Sequence, residues 1–174
     1  MITTTPWIIQ ADFPNDIHFP STIKYDERVK PKVLQAQQFD LRQVVGKEFY
    51  AELVLTLENG NLLAGGETYL QADYDALLPY LKQYLTMASY ARYLGEADEH
   101  NTRYGTVTKI NPHSQILDPA DRDRKIRTYR SMAASYANDI CEFLSDNSSK
   151  YPVWEQNQPD SDSGKLSGVT FSSV

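Results

Sequence analysis

The stretch "LDPADRDRKIRTYRSMAASYANDICEFL", residues 117–144, predicts a long helix that buries one face. Its apolar residues recur at spacings of three and four, which is the period of one face of an α-helix. These residues are Ile126, Tyr129, Ala133, Tyr136, Ala137, Ile140, Phe143 and Leu144. Asp118 fits the N-cap, Pro119 the first helical position and Asp121 the third. The helix is therefore expected to begin at Pro119 and to fray near residues 145–149.

Two earlier segments carry the same helical period. In "FDLRQVVGKEFYAELVLTL", residues 39–57, Gly46 lies within the apolar face and indicates either close packing or a break between two shorter helices. In "DYDALLPYLKQYLTMASYARYLG", residues 73–95, Pro79 is expected to kink the helix or to mark the start of its regular part. Gly95 is placed to cap the end of this second helix. Both segments are predicted helices of the core.

These segments predict an all-α fold, a small bundle of three to four helices. Residues 1–24 are interrupted by prolines and predict an extended N-terminal arm, residues 25–154 form the helical domain, and residues 155–174 predict a flexible tail that orders on a partner. The loop between the last two long helices exceeds twenty residues, which is more than a bundle connection needs. Within it "YGTVTKI", residues 104–110, alternates as a strand does and predicts a small β-hairpin or a strand added to a neighbour.

Composition limits the class of protein. The 174 residues hold one cysteine, Cys141, which excludes an intrachain disulfide and a zinc site built from cysteines, and its place beside the apolar helix face favours a structural thiol. The net charge of −6 argues against a protein that holds nucleic acid by neutralising phosphates. No apolar run approaches the roughly 18 residues of a membrane span, and the first residues lack the pattern of a secretory signal. Twelve tyrosines favour interfaces.

A polar stretch before the last helix raises the question of a metal or acid–base site. It reads "YLGEADEHNTRYGTVTKINPHSQ", residues 93–115. Its candidate ligands are Glu96, Asp98, Glu99, His100 and His113. Their spacing matches neither a zinc motif nor an EF-hand, and no apolar residues beside the carboxylates point to a pocket that would separate their pKa values. The stretch favours a solvated connecting loop, and we predict no metal and no cofactor.

Motifs for nucleophilic catalysis and for phosphate binding are also missing from the sequence. There is no G-x-S-x-G, and "VVGKEF" lacks the frame of a phosphate-binding loop. Basic residues cluster at 28–32 and again at 122–130, where Asp121 and Asp123 are interleaved with them. The second cluster is interpreted as a mixed helix surface that faces solvent or a partner. The sequence predicts no catalytic residues and favours an assembly protein over an enzyme.

The order of short motifs along the chain resembles a known family. "AQQFDLRQVVGKEFYAEL" opens the helical part, and "KIRTYRSMAASYANDICEFL" followed by "DNSSKYPVW" closes it. These motifs are similar to those of the head–tail connector proteins of tailed phages, also called adaptor or head-completion proteins, in the branch found in phages of Bacteroidetes-like hosts. The similarity spans residues 25–154, with Val45 where the family pattern has Leu. The matching residues are Gln37, Leu41, Arg42, Gly46, Tyr50, Leu53, Tyr129, Arg130, Ala133, Tyr136, Phe143, Leu144, Tyr151 and Pro152.

The resemblance implies a structural protein of the virion. Such a protein is assembled in the host cytoplasm and forms a ring, usually of about twelve copies, beneath the portal protein at the head–tail interface. The ring extends the DNA channel and offers a docking surface to the tail or to a stopper protein. The implied partners are further copies of the chain, the portal protein, and tail or stopper proteins. Genomic DNA passes through the channel without specific binding, and no membrane is involved.

Under this resemblance we predict that both arms and the long loop dock on partners. Large aromatic residues are the usual anchors of interfaces. The predicted docking residues are Trp7, Tyr104, Val107, Ile110, Trp154, Val169 and Phe171. An equal alternative for Trp154 is a cap over the end of the bundle. Arg42 and Arg130 are expected to pair with carboxylates, with a partner in the same subunit as the simpler case.

Two rival functions stay open on the sequence. One is another helical assembly module without enzymatic activity, such as a tail-completion protein or a cellular adaptor with a flexible tail. The other is a small enzyme that uses the polar stretch at 96–113.

Overall fold

The computed structural model describes residues 5–14, 17, 19, 24–59, 71–96, 99–102, 105–108 and 119–156. Most of these residues are helical, so the predicted all-α bundle is confirmed. Within these ranges no helix is long and apolar enough to cross a membrane. The predicted C-terminal tail lies outside the described residues apart from its first two positions.

The elements follow the order in which the sequence predicts them, with extra short helices near the N-terminus. The helices are α1 (Tyr25–Arg28), α2 (Lys30–Gln35), α3 (Arg42–Val45), α4 (Lys47–Asn59), α5 (Gln71–Glu96), α6 (Pro119–Asp146) and α7 (Pro152–Gln156). A π-helical segment, Ala36–Leu41, joins α2 to α3, and short 3-10 turns cover Gln10–Asp12 and Ser148–Lys150. Strands β1 (Glu99–Thr102) and β2 (Gly105–Thr108) form an antiparallel hairpin between α5 and α6. The long loop therefore contains the hairpin that was one of its two predicted alternatives.

The two long helices, α5 and α6, are packed side by side and run antiparallel. The rings of Tyr80 and Phe143 lie 4.7 Å apart at one end of the pair, and those of Tyr90 and Tyr129 lie 4.7 Å apart towards the other. Every residue from 84 to 91 is buried, so α5 is covered on all sides over two turns and is the central helix of the fold. Pro79 lies inside α5, which begins eight residues before it.

A glycine separates α3 from α4. Gly46 has a φ of +85°, which side chains with a Cβ rarely adopt. A Cβ added there would meet no atom within 4 Å. Of the two explanations that the sequence left open, the break between two helices is therefore confirmed, and close packing is not the reason for the glycine.

The N-terminal segment packs against its own chain. Trp7, Ile8, Phe13 and Ile17 are all buried in the core. The ring of Trp7 stacks on Tyr50 with 5.8 Å between centroids. The backbone N–H of Trp7 donates to Oε1 of the buried Gln37 at 2.8 Å. The prediction that this arm contacts partners through Trp7 is corrected, because in this fold the indole is a core side chain.

Ion pairs join the N-terminal part of the chain to α5. Lys82 Nζ donates to Asp12 Oδ1 at 2.7 Å, and Lys32 pairs with Glu96 near the end of the helix. Burial alone would raise the pKa of the Asp12 carboxyl, but the hydrogen bonds from Lys82 and from the Ile9 N–H outweigh it and hold that pKa below its ordinary value. Asp12 is therefore a stable anionic contact for the N-terminal segment.

The C-terminal end of the helical domain closes over the start of α5. The Tyr151 hydroxyl donates to the Asp73 carbonyl oxygen at 2.6 Å, and burial raises the pKa of Tyr151 to about 12, so the donor proton is retained. Trp154 is 4% exposed and belongs to the same core. Of the two roles predicted for Trp154, the structure supports the cap over the bundle.

Candidate interaction surface

The face of α6 opposite the core is exposed along most of the helix. Ala133, Ile140 and Leu144 are buried on the inner side. On the outer side, exposed residues succeed one another at spacings of four and three, which places them on one line along the helix. We call this line the outward stripe of α6; it consists of Arg124, Thr128, Ser131, Ser135, Asn138 and Glu142.

The charges on α6 divide between its two halves. Residues 119–130 contain five basic and two acidic side chains, whereas residues 131–146 contain three acidic and no basic ones. The acidic side chains are Asp139, Glu142 and Asp146, and all three are exposed. Beside the basic half lies an open hollow of about 370 Å³, whose lining among the described residues consists of Asp121, Arg124, Lys125 and Thr128. The outer face of α6 therefore changes from basic to acidic along its length.

The β-hairpin offers a second feature to a partner. His100 pairs with Val107, and Thr102 pairs with Gly105 at the turn. The sheet has two strands, so within the described chain each strand has one edge without a neighbouring strand. An open edge presents backbone N–H and C=O groups that can pair with a strand of another chain.

A bidentate ion pair joins the π-helical segment to α5. Arg92 Nε and Nη2 donate to Asp40 Oδ2 and Oδ1, both at 2.6 Å, and about three-quarters of the Asp40 side chain is buried. The hydrogen bond to Asp40 raises the pKa of Arg92 against the opposing effect of burial. The exposed Phe39 ring lies 5.9 Å from the guanidinium. The sequence does not predict this pair, because residues 52 positions apart leave no local pattern.

Removing the Arg92 side of this pair should destabilise the fold measurably. We expect Arg92→Gln to lower the free energy of unfolding by about 1–3 kcal/mol, because it removes two charge-assisted hydrogen bonds and leaves the largely buried Asp40 carboxylate without its partner. Urea denaturation measures the change. In a double-mutant cycle with Asp40→Asn, the double variant should cost less than the sum of the single ones. Additive losses would show that the two side chains do not stabilise one another.

The structure describes three of the seven predicted docking residues. Trp7 and Trp154 are 6% and 4% exposed and lie in the core of their own chain, so the docking role predicted for both indoles is corrected. Val107 lies in β2. The remaining ones lie outside the described residues; they are Tyr104, Ile110, Val169 and Phe171.

The motif residues that carry the resemblance lie mainly in the core. The buried ones are Gln37, Leu41, Tyr50, Leu53, Ala133, Leu144 and Tyr151. Four are half-buried, namely Tyr129, Tyr136, Phe143 and Pro152. Arg42 and Arg130 are exposed, and neither forms an ion pair with a carboxylate of the described residues; pairing with a carboxylate of a neighbouring subunit stays a prediction. Neither arginine belongs to the outward stripe of α6, whose last residue is Glu142.

The polar stretch before α6 is divided by the fold. Glu96 ends α5 and pairs with Lys32, and His100 lies in β1, whereas Asp98 and His113 lie outside the described residues. Among the residues for which the structure gives positions, no group of three or more His, Cys, Asp or Glu side chains is arranged to hold a metal ion. Cys141 is half-buried, and burial raises the pKa of its thiol.

Comparison with known proteins places most of the chain in a protein family. A family model described as "Family of unknown function (DUF6712)" matches residues 41–163, a region that includes α4, α5, the hairpin and α6. No curated protein and no solved structure matches the chain.

Proposed function

The chain belongs to this family of unknown function, and we propose that it is a structural protein of a tailed-phage particle. In this role, copies form a ring beneath the portal, with about twelve as the usual number, that joins the head to the tail and extends the DNA channel. The protein is assembled in the host cytoplasm and resides at the head–tail interface of the virion. The proposal rests first on the resemblance of the helical motifs to connector proteins.

The structural observation that carries the proposal is the β-hairpin between the two long helices. Its open strand edges suit docking on another protein by strand addition, which needs no large apolar patch. Along the chain the hairpin lies between the two long helices, α5 and α6, so that every copy in a ring would present it in the same way.

The charge of the chain is compatible with a DNA channel. A net charge of −6 on each copy gives a ring that repels phosphates, so DNA would pass without being retained. The alternative function is another helical assembly module without enzymatic activity, such as a tail-completion protein or a cellular adaptor. The two alternatives differ in where the protein is found in the cell and in the particle.

Quantitative mass spectrometry of purified particles tests the proposal. The particles are those released by the bacterial host whose genome carries the coding sequence. We expect the chain to be present in tailed particles at the same copy number as the portal protein, and particles that lack it to be filled heads without tails. Complete tailed particles that contain no copy of the chain would contradict a connector role and favour the cellular adaptor.

A further inference from the structure

We infer that the outward stripe of α6 pairs with the same stripe of a second copy, antiparallel, across a two-fold axis that passes between Ser131 and Ser135 on the outer side of the helix. A ring joins unlike surfaces of neighbouring subunits, whereas this contact joins two identical surfaces. It is therefore a separate contact of the free protein in solution and does not depend on the proposed function.

The stripe forms one continuous polar face of α6. Its successive residues are separated by four, three, four, three and four positions, which keeps them in line along the helix. All six are exposed, while the core side of the helix is occupied by residues such as Ile140 and Leu144. The second helix would thus lie on the outer side of α6 without disturbing the fold.

The stripe is self-complementary in the antiparallel direction. If Ser131 of one copy lies opposite Ser135 of the second, then Thr128 lies opposite Asn138, and Arg124 lies opposite Glu142. Two Arg–Glu pairs follow from the symmetry, one at each end of the contact. Within its own helix Arg124 pairs with Asp121, and because the Arg124 side chain is 73% exposed, Glu142 of the second copy would share or replace that contact. A parallel alignment would instead place Arg124 against Arg124 and Glu142 against Glu142, which like-charge repulsion disfavours.

The flank of the stripe obeys the same symmetry. Lys125, Met132 and Asp139 are exposed and follow each other at spacings of seven along one side of the stripe. In an antiparallel pair related by a two-fold axis, this side of one helix meets the same side of the other. Lys125 then lies near Asp139 of the second copy, and Met132, which is 37% exposed, lies near its own counterpart at the axis.

Small side chains at the centre of the stripe favour close approach of the two helices. Ser131 and Ser135 lie on either side of the axis, and their hydroxyl groups can both donate and accept hydrogen bonds across it. Because charges rather than large apolar groups orient the pairing, association should weaken as salt screens them over a Debye length of about 10 Å at 0.1 M.

A charge-swap experiment on the full chain tests this inference. Sedimentation velocity over a range of concentrations should show a monomer–dimer equilibrium in low salt. Arg124→Glu and Glu142→Arg should each weaken dimerisation by about tenfold or more, because each puts like charges opposite one another. The double variant R124E/E142R restores the pairs in reversed order and should regain dimerisation. Arg42→Glu is the matched control: the same charge change at an exposed position on α3 should leave the equilibrium unaltered.

Three outcomes would overturn the inference. The first is a full chain that is monomeric at every concentration. The second is a double variant that dimerises no better than the single ones. The third is a monomer that dimerises only after removal of residues 157–174, which would assign the outer face of α6 to the chain's own tail. Circular dichroism of each variant distinguishes loss of pairing from loss of the fold, because the substituted side chains are exposed.

Discussion

Phe49→Ala is expected to lower the free energy of unfolding by about 3–5 kcal/mol, the usual cost of emptying a buried aromatic site. Phe49 is fully buried in α4, and its ring meets that of Tyr151 edge to face with 5.9 Å between centroids. Tyr151 in turn bonds to the Asp73 carbonyl, so the loss affects the contact between α4, α5 and the C-terminal end of the domain. Denaturation by urea, followed by circular dichroism, measures the change.

The chain provides a matched control for this substitution. Phe39 is 55% exposed, and its ring lies against the guanidinium of Arg92. Phe39→Ala should therefore cost no more than about 1 kcal/mol, the size of an exposed cation–π contact. Equal losses for the two phenylalanines would mean that the core does not lie where the structure puts it.

Trp7→Ala should destabilise the protein by a similar amount, about 3–5 kcal/mol. The substitution removes a buried indole that stacks on Tyr50 and opens a cavity beneath the N-terminal segment. This result separates two descriptions of the segment. A free arm that contacts only partners would leave the unfolding of the isolated chain unchanged, whereas a segment that completes the core would not.

Ile9→Ala is the control within the same segment. Ile9 is 57% exposed and lies two residues from Trp7, so its loss should change the free energy of unfolding by less than about 0.5 kcal/mol. Trp154 remains in both variants and reports unfolding by fluorescence. An unchanged midpoint for Trp7→Ala would restore the interpretation of a docking arm.

The long helices could be predicted from the sequence because their signals are local. The apolar period of residues 117–144 and the proline at 119 define α6. The alternation in "YGTVTKI" predicted a hairpin or a strand added to a neighbour, and the second strand of the hairpin, β2, lies within it. At Gly46 the sequence predicted either close packing or a break between two helices, and the positive φ of the glycine shows the break. Each of these features depends on neighbours within a few positions along the chain.

The packing of the N-terminal segment could not be predicted in the same way. Trp7 and Ile8 belong to no helical or strand period, and their burial depends on a groove formed by residues some thirty to forty positions away, such as Gln37 and Tyr50. Prolines and a lack of period were therefore interpreted as an arm. The pairing of Asp40 with Arg92 was missed for the same reason, since it joins distant parts of the chain.

The outward stripe of α6 could be predicted from the sequence only in part. Its spacing and its charges are present in the sequence, but the basic cluster at 122–130 was interpreted only as a mixed surface. The fold adds which side of α6 is buried, and this places Arg124 and Glu142 on one exposed line. The core face and the outward stripe of α6 both follow from the same helical period and lie on opposite sides of the helix.

The most direct test of the connector role is an image reconstruction of the head–tail vertex of native particles. For a connector we expect a ring between portal and tail whose subunits show two long antiparallel helices, with the hairpin between them touching a neighbouring subunit or protein. A vertex in which the portal joins the tail without density for this fold would contradict it.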